Sequence, residues 1–218
     1  MDWANEWWVL ILGPGLVFLV VGFVYFTRSR TFTFRSAAAQ LGLIALQGLN
    51  PIKDEEKRRL SLFSTGGKIH NLYGDRVNSP SKLLFDFAGG VDSPRTSAPT
   101  NQTVAAFHAP DSVPDFQLIS AKAFDSRADS EAQLIAFDSH QDFVRRYHLR
   151  GGEAVPMRLF TPALIDKLTA IDPGADWSIE KAGSWLIVYR RNFLFRTKAL
   201  PETWQHAQGL AGLFLEQD

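Results

Sequence analysis

The chain has 218 residues, 45% hydrophobic and 21% charged, with 23 basic and 23 acidic side chains and no cysteine. Zero net charge excludes a nucleic-acid binder driven by bulk charge, and the ordinary apolar fraction excludes a disordered charged tail. The missing cysteines exclude disulfides, thiolate–metal sites and a cysteine nucleophile, and the length suits one domain with an attachment.

The attachment comes first. After a short, acidic stretch (residues 1–6, with Asp2 and Glu6), residues 7–26 read WWVLILGPGLVFLVVGFVYF without a charge. Twenty residues at about 1.5 Å rise span roughly 30 Å, the thickness of a bilayer's hydrocarbon core. Trp3, Trp7 and Trp8 at one end and Tyr25 and Phe26 at the other suit the two headgroup zones. A cleaved signal peptide would need a basic start, a shorter core and a small-residue cleavage site, none of which is present. The pattern predicts a transmembrane helix. Gly13, Pro14 and Gly15 within it predict a bend or a close-packing face for a partner helix. Arg28, Arg30 and Arg35 follow the run, so the positive-inside rule places the N-terminus outside and the remainder in the cytoplasm.

Residues 27–64 read as a juxtamembrane helical segment. Ala and Leu at helical spacing predict a helix from Arg35 to Leu49, stopped by Asn50-Pro51. A second helix is predicted from Lys53 to Leu62. Asp54–Arg58 and Glu55–Arg59, four residues apart, make Lys57-Arg58-Arg59 a solvated, ion-paired face rather than a basic patch. From Gly66-Gly67 onward the pattern changes to that of an α+β domain, residues 65–218.

Short alternating runs predict strands at Lys68–Tyr73, Lys82–Phe87, Gln102–His108, Phe116–Ser120 and Ala132–Phe137. The stretch GGVDSPRTSAPT (89–100) is a loop by composition. A short helix is predicted over Ser139–Arg146, with Ser139 as its cap. Thr161-Pro162 is a helix start, and Leu164, Ile165 and Leu168 give that helix an apolar face. Trp177–Lys181 and Trp185–Arg190 bracket Ala182-Gly183-Ser184 as a hairpin. Trp185, Ile187 and Tyr189 share one of its faces and Leu186 and Val188 the other. A final amphipathic helix runs from Pro201 to Leu215. This order predicts a mainly antiparallel sheet packed by helices on one side.

The segment Asp142-Phe143 through Arg146-Tyr147-His148-Leu149, then Arg158-Leu159-Phe160-Thr161-Pro162, and the later strand from Trp185 to Tyr189 carry a resemblance. Together they resemble a loose group of uncharacterised, single-pass, membrane-anchored bacterial domains. In that group a Phe-x-x-x-aromatic-x-Leu/Val segment precedes an Arg-x-x-Thr-Pro helix start and a hairpin. The resemblance covers most of residues 65–190. It implies the fold and a place in the bacterial inner membrane, and brings no catalytic residue with it.

Among polar residues, Asp138, His140 and Asp142 alternate, a spacing that would suit a metal or an acid–base pair in extended chain. The same residues make an acidic helix start, the simpler reading. The remaining histidines, His70, His108, His148 and His206, lack metal-ligand spacing, and no nucleotide loop or nucleophile elbow occurs. No catalytic, cofactor or metal residue is assigned, and an enzyme is not argued for. Two basic clusters with aromatic neighbours remain: Arg145, Arg146 and Arg150 around Tyr147, and Arg190, Arg191, Arg196 and Lys198 around Phe193 and Phe195. They are the candidate contacts for lipid or a partner. Asn101-Gln102-Thr103 matches a glycosylation sequon, which the arginine flank places on the wrong side of the membrane. The expected function is a non-catalytic membrane protein that scaffolds or regulates a membrane complex, its partners being the lipid bilayer and a membrane protein, without nucleic acid. Anionic-lipid binding, or a hydrolytic or metal-dependent enzyme centred on Asp138, His140 and Asp142, are the alternatives.

Overall fold

The computed structural model describes residues 30–64, 66–89, 100–123, 140–152, 159–171 and 176–216, with 134, 135, 137 and 155. The apolar run at 7–26, with Gly13, Pro14 and Gly15, lies outside them. No helix among the described residues is long and apolar enough to cross a membrane.

A helix, α1, is present from 30 to 40. It ends earlier than the predicted Arg35–Leu49 helix because Gly42 takes a left-handed conformation, φ +73°. The Gly42 N–H then donates to the Ala39 carbonyl and the Leu43 N–H to that of Ala38, both at 3.0 Å, which closes the helix. Instead of a further turn, Ile44–Ala45 forms a short edge strand, β1. The helix α2 covers Asp54–Arg59, followed by a 3₁₀ turn at Ser61–Phe63. The predicted four-apart ion pairs are replaced. Asp54 takes Lys57 at 2.8 Å, and Arg59 reaches across to Asp115.

The remaining strands are β2 (Gly67–Gly74), β3 (Lys82–Gly89), β4 (Asn101–His108), β5 (Phe116–Ser120), β6 (Tyr147–Gly151), β7 (Trp177–Ala182) and β8 (Trp185–Arg190). They form one antiparallel sheet in the order β1-β2-β3-β4-β8-β7-β5-β6. The hairpin β7–β8 turns on Gly183 and Ser184, with Gly183 at φ +56°. A Cβ there would stand 2.6 Å from Glu56 Oε1, so glycine is required twice over. Of the predicted strand 132–137, the described part contributes an isolated bridge, Ile135 to Leu149. The helices α3 (Gln141–Arg146), α4 (Pro162–Ala170) and α5 (Leu200–Leu215) complete the chain. Thr161 caps α4 by accepting from the Leu164 N–H at 3.3 Å. His140, not Ser139, stands at the N-cap of α3 and makes no side-chain cap bond; Ser139 lies outside the described residues.

Both faces of the sheet are buried. On face one, Leu84, Ala105, Phe107, Leu118, Leu149, Ile179, Leu186 and Val188 lie under α1, α3, α4 and α5. On face two, Leu83, Phe85, Val104, Ala106, Trp185, Ile187 and Tyr189 lie under Leu46, Ile52, Leu60 and Leu62. The division of β8 side chains between faces follows the predicted alternation. The expectation of cover on one side is corrected: β3, β4 and β8 are nearly continuous apolar runs, the pattern of strands buried on both faces.

Candidate functional site at one end of the sheet

Strand register defines the two ends of the sheet. Ala88 pairs with Asn101, Trp177 with Arg190 and Ser120 with Tyr147, so these residues share the end termed here the near end. His108 pairs with Trp185 and Phe116 with Gly151 and Lys181 at the far end.

The root of α1 is fixed toward the near end on face one. Asp86 of β3 and Thr103 of β4 are cross-strand partners, and both are buried. Arg30 grips Asp86 with two nitrogens, Nε at 3.1 Å and Nη2 at 2.8 Å. Its Nη2 also donates to Thr103 Oγ1 at 3.1 Å and its Nη1 to the Phe195 carbonyl at 3.2 Å. Thr103 Oγ1 donates to Asp86 at 2.7 Å and accepts from the Phe195 N–H at 3.0 Å. A β-bulge between His70 and Tyr73 turns Asn71, at φ +50°, so that its amide donates to Asp86 at 3.0 Å. A bidentate guanidinium–carboxylate pair with satisfied neighbours is a geometrically specific clamp. Arg30, read from sequence as a flanking charge, is therefore committed to Asp86. Nothing local in the sequence announces that pairing, since 56 residues separate the partners.

The two predicted basic clusters partly converge. Arg190 and Arg191 close β8 at the near end, and Arg145 and Arg146 precede β6 at that same end. Arg190 lies over the Phe193 ring, 4.3 Å from its centroid, a cation–π contact. Arg191 donates to the Ala123 carbonyl, and Arg146 donates to the carbonyls of Thr169 and Ile171. Arg145 pairs with Asp142 at 3.5 Å, and Lys122 with Asp176 at 2.9 Å. Arg196 and Lys198 are exposed, and Arg196 directly follows the carbonyl held by Arg30. Arg150 departs from the set. It sits at the opposite end of β6 and is buried, beside Arg59, Asp115, Gln117 and Lys181 around a cleft of about 300 Å³.

That far-end cleft is held by carboxylates that fasten α2 to face two. Asp115 receives Lys181 Nζ at 2.9 Å, the Gly183 N–H at 3.2 Å and Arg59. Burial lowers the affinity of Lys181 for its proton, against the opposing pull of Asp111. Glu56 accepts from Ser184 N–H at 2.9 Å, Ser184 Oγ at 2.7 Å and the Lys53 N–H at 2.9 Å. Burial pushes its carboxyl up, but these hydrogen bonds outweigh burial and hold it below the usual value. Glu180, fully enclosed, accepts from Tyr189 OH at 2.5 Å, Ser61 Oγ at 2.8 Å and the Ser61 N–H at 2.6 Å. There burial wins, and its carboxyl is raised in spite of those donors. Glu56 and Glu180, both buried, and the half-buried Asp115 are used to hold the chain.

Of Asp138, His140 and Asp142, the first lies outside the described residues, His140 stands at the N-cap of α3, and Asp142 is exposed beside Arg145. His70, His108, His148 and His206 stand on β2, β4, β6 and α5, with His206 stacked on Trp177 at 5.3 Å. Among the described residues no group of three His, Asp or Glu side chains is placed to hold a metal ion. A groove of about 750 Å³ lies between α4 and α5, lined by Thr161, Leu164, Lys167, Gln205, Gly209 and Gly212 among others.

No protein-family model matches the chain, and no curated protein matches it. Among solved structures, its fold is similar to the crystal structure of the mycobacterial trehalose monomycolate transport factor A, TtfA. The TM-score is 0.55 at 14% sequence identity, over 87% of this chain and 94% of that one. The shared feature is the fold.

Proposed function

We propose that this chain is a membrane-anchored accessory protein without a reaction of its own, whose α+β domain scaffolds or regulates a membrane protein complex. The carrying observation is the clamp of Arg30 on Asp86, Thr103 and Phe195, four residues beyond the uncharged run. A domain joined to its anchor by a flexible linker would need no such contact. In this reading α1 is held to the sheet, toward its near end, at a residue close to where the run ends, which favours a domain that stays beside its anchor. The fold shared with a trehalose monomycolate transport factor is consistent with a transport-associated role. In this reading residues 7–26 span the inner membrane with the N-terminus outside. Arg28 and Arg35 supply the flanking charge that Arg30 spends on Asp86.

Affinity purification of the full chain from mild detergent after crosslinking tests the proposal. A reproducible membrane-protein partner is expected, and Asp86→Ala is expected to reduce its recovery while the chain stays in the membrane fraction. Recovery of free monomer alone overturns the scaffold reading. The absence of cysteine makes topology directly measurable by labelling single introduced cysteines from either side.

A further inference from the structure

We propose that the root of α1 is a docking surface for an anionic lipid leaflet, formed by Phe32, Phe193, Arg190, Arg196 and Lys198, so that the domain rests on the membrane that holds it. The inference deepens the proposed function and rests on its reading of residues 7–26 as a span.

The first support is length. Four peptide steps separate Phe26, the last residue of the uncharged run, from Arg30, which is tied to Asp86. Fully extended chain covers about 3.3–3.6 Å per residue, so the root of α1 stands no more than about 15 Å from the end of the run. The headgroup zone adds roughly 5–8 Å on each side of the hydrocarbon core, and the Debye length at physiological salt is about 8 Å. Charges around this root therefore lie within electrostatic reach of the leaflet.

The second support is composition. Phe32 is 76% exposed, the largest value among the exposed large hydrophobic residues described, and it lies in the first described turn of α1. Phe193 is partly exposed with the Arg190 guanidinium over its ring. From Arg190 to Pro201 the chain carries four cations and no acid. Arg191 is turned to the Ala123 carbonyl, while Arg196 and Lys198 are exposed. Asp86, the acid closest to the root, is committed to Arg30. Phe32 stands exposed on the helix whose Arg30 holds the Phe195 carbonyl, and cations flank that carbonyl in the chain; together they match the interfacial zone of a membrane, where rings sit among headgroups and cations meet their phosphates. An acidic peptide would use the cations and leave Phe32 unexplained.

The test uses the full chain in lipid nanodiscs, labelled with a fluorophore at a single introduced cysteine. Thr33→Cys reports beside Phe32, and Arg76→Cys reports from the exposed turn between β2 and β3 at the far end. Lipids bearing a headgroup quencher are mixed into phosphatidylcholine, with or without phosphatidylglycerol. Severalfold stronger quenching at position 33 than at 76, dependent on phosphatidylglycerol, is expected. Each of Arg196→Gln and Lys198→Gln should lower the docked-to-undocked ratio about fivefold, the equivalent of about 1 kcal/mol per cation. Phe32→Ser should lower it as well, and all three positions are exposed, so folding is not at stake. Equal quenching at 33 and 76 overturns the proposal. Quenching at 33 that ignores lipid charge overturns the anionic-lipid part of it. Failure of the span reading is seen separately, as release of the chain from the discs in alkaline carbonate.

Discussion

The two faces of the sheet are buried by opposite means, the larger apolar cluster lying on face one. Face one is covered by helices whose own apolar stripes do the work, with Leu200, Trp204, Ala207, Leu210, Ala211 and Phe214 all pointing inward from α5. Face two is covered by a segment whose helix, Asp-Glu-Glu-Lys-Arg-Arg, has no apolar residue. Its apolar contributions, Ile52, Leu60 and Leu62, flank that helix. Glu56, Glu180 and Asp115 fasten it, each accepting at least one backbone N–H. Non-directional burial suffices where a helix is amphipathic; directional hydrogen bonds are needed where it is not.

Substitutions that separate the two means should differ in size and in reach. Trp204 is 5% exposed and packs on Phe107, with centroids 5.2 Å apart. Trp204→Ala should cost about 3–5 kcal/mol and shift the global unfolding midpoint in denaturant. A shift under about 1 kcal/mol would mean that α5 does not hold face one. On face two, Glu180→Ala strands the Tyr189 hydroxyl and the Ser61 N–H in the interior, at about 2–3 kcal/mol. Glu180→Gln should cost less and change the pH profile. Burial raises the folded carboxyl's proton affinity, so its contribution is full below the usual 4.5 and declines as pH rises through the folded value. The Gln variant should lack that decline in unfolding measurements at successive pH values.

Glu56→Ala should cost about 1–2 kcal/mol, and the effect should be local. Trypsin is expected to cut at Lys57, Arg58 or Arg59 faster while the global midpoint moves little. Gly183→Ala, whose Cβ would meet Glu56, should do the same. If either variant instead unfolds the whole chain, the cover of face two is not a separable unit. The smallest effect belongs to Asp75, which closes the turn from β2 to β3. It accepts from Ser81 N–H at 2.7 Å, Ser81 Oγ at 2.6 Å and Lys82 N–H at 3.1 Å. Burial opposes ionisation, but these bonds and Arg76 hold its carboxyl at about 2. The stability it supplies is present above the usual 3.8 and is lost as pH falls toward 2. After screening by nearby solvent it should amount to about 1 kcal/mol, read as the acid-limb difference between the chain and Asp75→Asn.

What the sequence determined by itself are the elements whose signals are local. Thr161-Pro162 set the start of α4, the Gly183-Ser184 turn set the last hairpin, and period-two alternation assigned each β8 side chain to its face. Each depends on neighbours within a few residues. The end of α1 was also written locally, at Gly42, but the run of Ala and Leu on either side masked it. Burial of both faces was visible in the continuous apolar runs of β3, β4 and β8, yet the cover of face two was hidden. A polar helix shows no stripe until the carboxylates that receive it are known, and Glu180 and Ser61 lie 119 residues apart. The candidate surface divides the same way. Arg190, Arg196 and Lys198 stand out in the sequence as cations beside aromatic rings. Only the tertiary structure buried Arg150 at the far end and committed Arg30 to Asp86, because antiparallel register and chain reversal, not spacing, decide which ends meet.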